Sequence, residues 1–307
     1  MNFSRREIIQ LYGLAGLGLI AAPTLLSFSP QEKMQQRSIP SSGEKIPMVG
    51  LGTWLTFDIG NSIDELEIRK LVLAEMYNLG GTVIDSSPMY GSSETVVGKT
   101  SSQLDSQNQL FYATKVWTSG KQSGIDQMNS SMRKMQRQKM DLMQIHNLVD
   151  WKTHVNTLRA WKDEGKIRYW GLTHYVDSAH PTLERIIKSD KPDFVQFNYS
   201  INSRNAEKSL FDTCKKNGTA VIINQPYDSG NLFSKIKGKP LPSWASEYAI
   251  SSWGQYFLKF ILSNEDVTCV IPGTSNLKHL IDNMGAGYGA LPNNSAREKM
   301  ANYLKNL

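Results

Sequence analysis

The sequence predicts an α/β chain closed into a (β/α)8 TIM barrel, and three observations carry that expectation. From residue 46 onward, short apolar runs alternate with helix-like segments, and eight such runs can be counted. The residues just past four successive runs, Trp54, Asp85, Lys115 and His146, lie 31, 30 and 31 positions apart. About thirty residues is one strand–helix–strand step. An open dinucleotide-binding sheet would show G-x-G-x-x-G at its first turn, and Gly50-Leu51-Gly52-Thr53-Trp54 does not fit that pattern.

The chain begins with an address. Ser4-Arg5-Arg6 precedes an apolar stretch from Leu11 to about Phe28 that contains three glycines. A basic start before a short apolar segment reads as an export signal, and the paired arginines resemble a twin-arginine signal. Residues 1–30 are therefore expected to direct export through the twin-arginine machinery to the periplasm. If uncleaved, they would be the chain's one membrane contact. Prolines 23 and 30 follow the two candidate cleavage points, which favours retention as an anchor. Residues 31–44 are polar, with Ser, Pro and Gly, and read as a linker. Residues 45–307 form the barrel.

Within the barrel the expected strands are Val49-Gly50-Leu51-Gly52, Thr82-Val83-Ile84, Leu110-Phe111-Tyr112-Ala113, Leu142-Met143-Gln144-Ile145, the run 167–172, Phe194-Val195-Gln196-Phe197, Ala220-Val221-Ile222-Ile223 and the run 267–271. They are short and mostly apolar, as strands buried on both faces are. Between them, Leu66, Leu71, Met76 and Leu79 are spaced as a helix face stopped by Gly80-Gly81. Met128, Met132 and Met135 read as a helix face against the sheet rather than a soft-metal site. The basic stretch 132–139 suits a solvated helix end, where cations offset the dipole. An apolar helix is expected from Tyr248 to Leu262. Loops 149–154 and 235–244 are expected at the substrate.

Composition excludes several classes. The formal charge of +6 comes from 34 basic and 28 acidic residues spread along the chain, which gives no nucleic-acid patch. Cys214 and Cys269 are the only cysteines and do not make a disulfide framework; both are expected as buried thiols. No metal-ligand spacing occurs, and a monomer is expected.

In a barrel the carboxyl ends of the strands share one mouth, where chemistry takes place. Asp85, Tyr90, Lys115 and His146 would meet there. A phenol with a pKa near 10 is a weak acid. A neighbouring ammonium favours the phenolate and so is expected to lower that pKa. A carboxylate would hold the lysine and an imidazole would align a substrate oxygen. The set suits protonation of a carbonyl oxygen as hydride arrives at its carbon.

Asp85-x4-Tyr90-Gly91, Ala113-Thr114-Lys115 and Gln144-Ile145-His146-Asn147, in this order and spacing, resemble the aldo-keto reductases. Gly52-Thr53-Trp54, Val195-Gln196 and the run Val270-Ile271-Pro272-Gly273-Thr274-Ser275 extend the likeness over roughly residues 45–290. The resemblance implies a nicotinamide-dependent carbonyl reductase with Tyr90 as proton donor, tuned by Lys115 and Asp85. Trp54, Trp117, His146 and Asn147 would contact the substrate, a small carbonyl compound. Cofactor contacts would come from Thr53, Trp54, Asp85, Thr173, Gln196, Ser229, Gly230, Gly273, Thr274, Ser275, His279, Asp282 and Asn283. His174 stands where the family has a carboxamide, and Asn224 where it has a stacking aromatic, with Tyr227 the alternative for that stack. NADP is the implied cofactor. NAD is the alternative, since neither Lys278 nor His279 offers arginine's fork for a phosphate. Two other readings remain: a nucleotide-holding redox sensor or auxiliary subunit with little turnover, and a metal-dependent sugar isomerase on the same barrel.

Overall fold

The computed structural model describes residues 33–307; the export-signal reading of residues 1–30 lies outside them. Eight parallel strands follow one another around the molecule: β3 (Leu51–Gly52), β4 (Val83–Asp85), β5 (Phe111–Val116), β6 (Met140–His146), β7 (Ile167–Thr173), β8 (Phe194–Asn198), β9 (Ala220–Asn224) and β10 (Cys269–Val270). Each falls on a run the sequence marks. Neighbours in sequence are neighbours in the sheet, as right-handed strand–helix–strand units require.

Two bridges, Val49 with Val270 and Gly52 with Gly273, join β3 to β10 and complete the (β/α)8 barrel. This seam needs glycine. A Cβ on Gly52 would stand 2.8 Å from the Ile271 carbonyl oxygen, and one on Gly273 would stand 3.2 Å from that of Gly52. Side chains at both places would push the first and last strands apart.

The outer layer comprises α1 (Ile63–Asn78), α2 (Ser93–Ser101), α3 (Lys121–Lys134), α4 (Trp151–Asp163), α5 (His180–Asp190), α6 (Leu210–Asn217), α7 (Asn231–Lys235), α8 (Trp253–Leu262), α9 (Leu277–Gly285) and α10 (Asn294–Lys305). Several begin on a side-chain cap. Ser62 accepts from the Glu65 amide, Ser252 from Gln255, and Asn293 from Ala296. Such caps satisfy amides that the helix leaves unbonded. Met128, Met132 and Met135 are buried, as their spacing predicts, and so are both cysteines. In α1 the buried face is Arg69, Val72, Leu73 and Met76, so of the four residues expected there only Met76 is fully covered.

Three boundaries differ from the sequence reading. The aromatic helix starts at Trp253, not Tyr248, because Ser252 caps it and Ser243–Tyr248 forms a separate 3-10 turn. The helix α4 starts at Trp151, so the loop after β6 is shorter than expected. Residues 36–47, most of them read as linker, form an antiparallel hairpin of β1 (Gln36–Ser38) and β2 (Lys45–Pro47). Its Ile39 and Ile46 are buried against Val83, Phe111, Leu142, Tyr169 and Phe194, residues at the amino-terminal halves of the strands. The hairpin thus plugs the barrel end opposite the catalytic mouth. Arg37 fastens it by donating to the carbonyl oxygens of Leu262 and Asn264, each at 2.6 Å, and to that of Val267.

Candidate active site

The mouth gathers its polar groups from three adjacent strands. Parallel register places Asp85 at the end of β4 beside Ala113, and Lys115 beside Gln144. The Lys115 side chain has no solvent exposure, and its Nζ lies 2.5 Å from Asp85 Oδ2 and 2.7 Å from the Ser86 carbonyl oxygen. The other carboxylate oxygen, Asp85 Oδ1, accepts from Gln144 Nε2 and Gln196 Nε2, each at 3.0 Å. Both Asp85 oxygens are therefore bonded, as a buried carboxylate demands. Thr53 donates to the Asp85 carbonyl oxygen and to Ser86 Oγ, both at 3.0 Å.

Tyr90 stands on the turn after β4. Lys115 Nζ lies 4.9 Å from its ring centre, and the ring meets that of His146 edge-on at 5.7 Å. Trp117 borders His146 at 6.4 Å and is 41% exposed. The structure brings Asp85, Tyr90, Lys115 and His146 into one group, with Trp117 on its rim.

The electrostatics differ from expectation in one respect. Burial pushes the Tyr90 phenol above its usual range, and the opposing effect of Lys115 does not cancel it. The ammonium does not leave Tyr90 with a lowered pKa; it limits the rise. Tyr90 is consequently held as the neutral phenol, the form that can give a proton. At Lys115 burial works against the charge, but Asp85 and Tyr90 outweigh it and hold the ammonium above its ordinary value. His146 is pushed down to about 3 by burial, then by Lys115 and His174. Its imidazole is neutral.

A second polar group continues across β7, β8 and β9. Thr173 donates to Gln196 Oε1 at 3.1 Å, and Asn224 Nδ2 donates to the His174 carbonyl oxygen at 3.0 Å and to Gln196 Oε1 at 3.3 Å. With two acceptors fixing its amide, Asn224 turns Oδ1 the other way, where it is buried without a donor. Asn147 Oδ1 is buried without a donor as well, in a loop where Asn147, Leu148 and Asp150 all have positive φ. A buried acceptor left unpaired is costly, and these two stand at the carboxyl ends of β6 and β9. The ring of His174 stacks on Tyr175 at 5.5 Å.

The remaining expected cofactor residues are placed less directly. Trp54, 49% exposed, stands just past β3. Ser229 and Gly230 are exposed on the turn before α7, both with positive φ. Ser275, Lys278 and His279 are accessible around the start of α9. At the start of that helix Asn276 Oδ1 accepts from the Lys278 and His279 amides. Thr274 Oγ1 likewise accepts from the Asn276 amide. Asp282 accepts from Ser252 at 2.6 Å and Gln255 at 3.0 Å, while Asn283 accepts from Tyr227 at 2.5 Å. These pairs tie α9 to α8 and to the loop after β9. Tyr227 packs on Phe233 and Phe257.

Two contributors are given no role by the sequence reading. Gln144 is a direct partner of Asp85, and a lone amide inside the run Leu142–Ile145 was the available signal. Ser87, fully buried, has its Oγ 2.8 Å from His146 Nδ1, and no spacing rule links positions 87 and 146. Among the described residues no group of three or more His, Cys, Asp or Glu is placed to hold a metal ion.

Comparison with known proteins gives a consistent result. The profile described as Aldo/keto reductase family matches residues 48–298. The chain is 27% identical over 259 residues to Methylglyoxal reductase YeaE of Escherichia coli (strain K12), which spans 81% of this chain and 89% of that protein. It is 26% identical over 298 residues to Aldo-keto reductase str7 of Strobilurus tenacellus, over 84% and 87% of the two chains. Among solved structures, an aldo/keto reductase from Klebsiella pneumoniae in complex with NADP and acetate superposes with a TM-score of 0.70. It has 22% identity and covers 85% of this chain and 93% of its own. The holo form of AKR11C1 from Bacillus halodurans gives 0.71 at 20% identity, over 88% and 96%. At these identities the structural likeness speaks for the fold.

Proposed function

The chain belongs to the aldo/keto reductase family, and on that premise we propose that it reduces an aldehyde or ketone with NADPH, Tyr90 giving the proton. The observation that carries this reading is the fully buried Lys115 ammonium, paired at 2.5 Å with Asp85 and facing the Tyr90 ring. The dinucleotide, when bound, supplies the hydride. The carbonyl oxygen then gains negative charge, and Tyr90 donates its proton there. Lys115 lies beside the phenolate that remains, and Asp85 keeps that lysine charged and oriented. Neutral His146 can donate a hydrogen bond to the same oxygen. Trp54 and Trp117 form an apolar rim.

The residues on β7–β9 fit a nicotinamide carboxamide. Its N–H groups can donate to the unpaired Asn224 Oδ1, and Thr173 and Gln196 lie alongside. NADP is supported over NAD by the complexes reported for similar reductases. The name of the Escherichia coli relative makes methylglyoxal the first substrate to assay.

Tyr90→Phe tests the reading. Turnover should fall by about 10²–10⁴-fold, the usual worth of a positioned acid, while NADPH affinity by fluorescence titration stays within about two-fold. Retained turnover would refute Tyr90's role. For residues 1–30 the reading is export by the twin-arginine route to the periplasm, supported by Ser4-Arg5-Arg6 before the apolar stretch. Replacing both arginines by lysine should leave the protein in the cytoplasmic fraction; unchanged export would sink this.

A further inference from the structure

We propose that Ser87 is a positioning residue that fixes the His146 imidazole in its Nε2–H tautomer, aiming a hydrogen-bond donor at the substrate oxygen. The proposal deepens the reductase reading and rests on it. It starts from a count of donors and acceptors. A serine hydroxyl has one proton to give and two lone pairs to receive. Ser87 Oγ already receives the Met89 amide proton at 3.2 Å. Its remaining described partner is His146 Nδ1 at 2.8 Å.

Two arrangements are available. In one, the hydroxyl donates to a bare Nδ1 and Nε2 carries the ring proton. In the other, Nδ1–H donates to Ser87, whose own proton is then left without an acceptor among the described residues. Ser87 is fully buried, so an unspent hydroxyl proton there is costly. The first arrangement leaves nothing unpaired on the protein side. His146 Nε2 has no hydrogen-bond partner among the described residues, and the ring lies between Tyr90 and Trp117. A donor at Nε2 favours an oxygen that is becoming negative, whereas a lone pair there would repel it. Ser87 thus selects which of two neutral imidazoles faces the chemistry, without touching substrate itself. It also shares the turn of Tyr90, so one short segment, 87–90, sets both donors.

The test is histidine-selective 15N labelling of the full chain. Long-range proton–nitrogen correlation reads the tautomer, and the His146 signal is identified by its loss in His146→Gln. The wild-type ring should show the Nε2–H pattern in the resting protein, with no turnover required. Ser87→Ala should lose or mix that pattern and lower kcat by about ten-fold or more, because the partner of one ring nitrogen sets where the other carries its proton; NADPH affinity should stay within two-fold. Ser87→Thr, which keeps the hydroxyl, should restore the pattern and most of kcat. An Nδ1–H wild-type ring would overturn the proposal even if Ser87→Ala failed to fold. So would a Ser87→Ala protein that keeps either the Nε2–H pattern or wild-type kcat. Because the tautomer is read in the resting protein, a failure here is distinguishable from failure of the reductase reading, which Tyr90→Phe reports.

Discussion

An ammonium removed from water persists only where its charge is matched nearby, and Lys115 shows how narrow that condition is. Removing its charge would strand Asp85 with two amides but no counter-ion. Lys115→Met should therefore abolish turnover and destabilise the fold by about 3–5 kcal/mol, read as a shift in urea midpoint. Adding Asp85→Asn should recover part of that stability and none of the activity. His146 has a different consequence. Its folded pKa is about 3 against about 6.5 in the unfolded chain. Between these values the unfolded state binds more protons, so this group's effect on stability is absent above neutrality and becomes unfavourable as pH falls from about 6.5 toward 3. His146→Gln should flatten that acid limb in urea midpoints measured from pH 4 to 8. At this scale the sequence shows the acid, phenol, amine and imidazole, because each ends or follows a run. It hides Ser87 and the orientation of Asn224, which depend on where side chains separated by 59 and 28 residues point.

Elements meet through close backbone approaches that composition does not announce. A Cβ on Gly98, in α2, would lie 2.1 Å from the Lys134 carbonyl oxygen at the end of α3. Gly98→Ala, ordinarily favourable in a helix, should here lower stability by about 1–3 kcal/mol, the cost of overpacking, with a matching drop in Tm. The strands were legible because eight apolar runs recur at near-regular spacing. The hairpin of residues 36–47 was not, since its strands are three residues long and it buries few apolar side chains among Ser, Pro, Gly and charged residues. Ile39 is fully buried, so Ile39→Ala should cost about 2–5 kcal/mol, visible in thermal unfolding. A real linker would give no change.

Across the whole molecule the two barrel ends are built oppositely. One is closed by the hairpin, with Arg168 bridging Asp141 at 2.8 Å and pairing with Glu44. The other carries Trp54, Leu55, Met89, Trp117, Tyr175 and Phe233, six of the eight exposed large apolar side chains among the described residues. Apolar surface of that kind marks a binding face, and it surrounds the acid group. Around the barrel wall the strands are unequal too. Six residue pairs register β6 with β7, while β3 and β10 share two bridges and pair with β4 and β9 over two residues each. Regions with few ladder bonds open most readily. The barrel should therefore breathe where β3 and β10 meet their neighbours, with the amides of Gly50, Gly52 and Val270 exchanging with heavy water well before those of Leu142 to Ile145. Because Thr53 and Gly273 flank this region at the mouth, NADPH should slow exchange there more than elsewhere, making the thinly laddered part of the wall the part that registers a bound nucleotide.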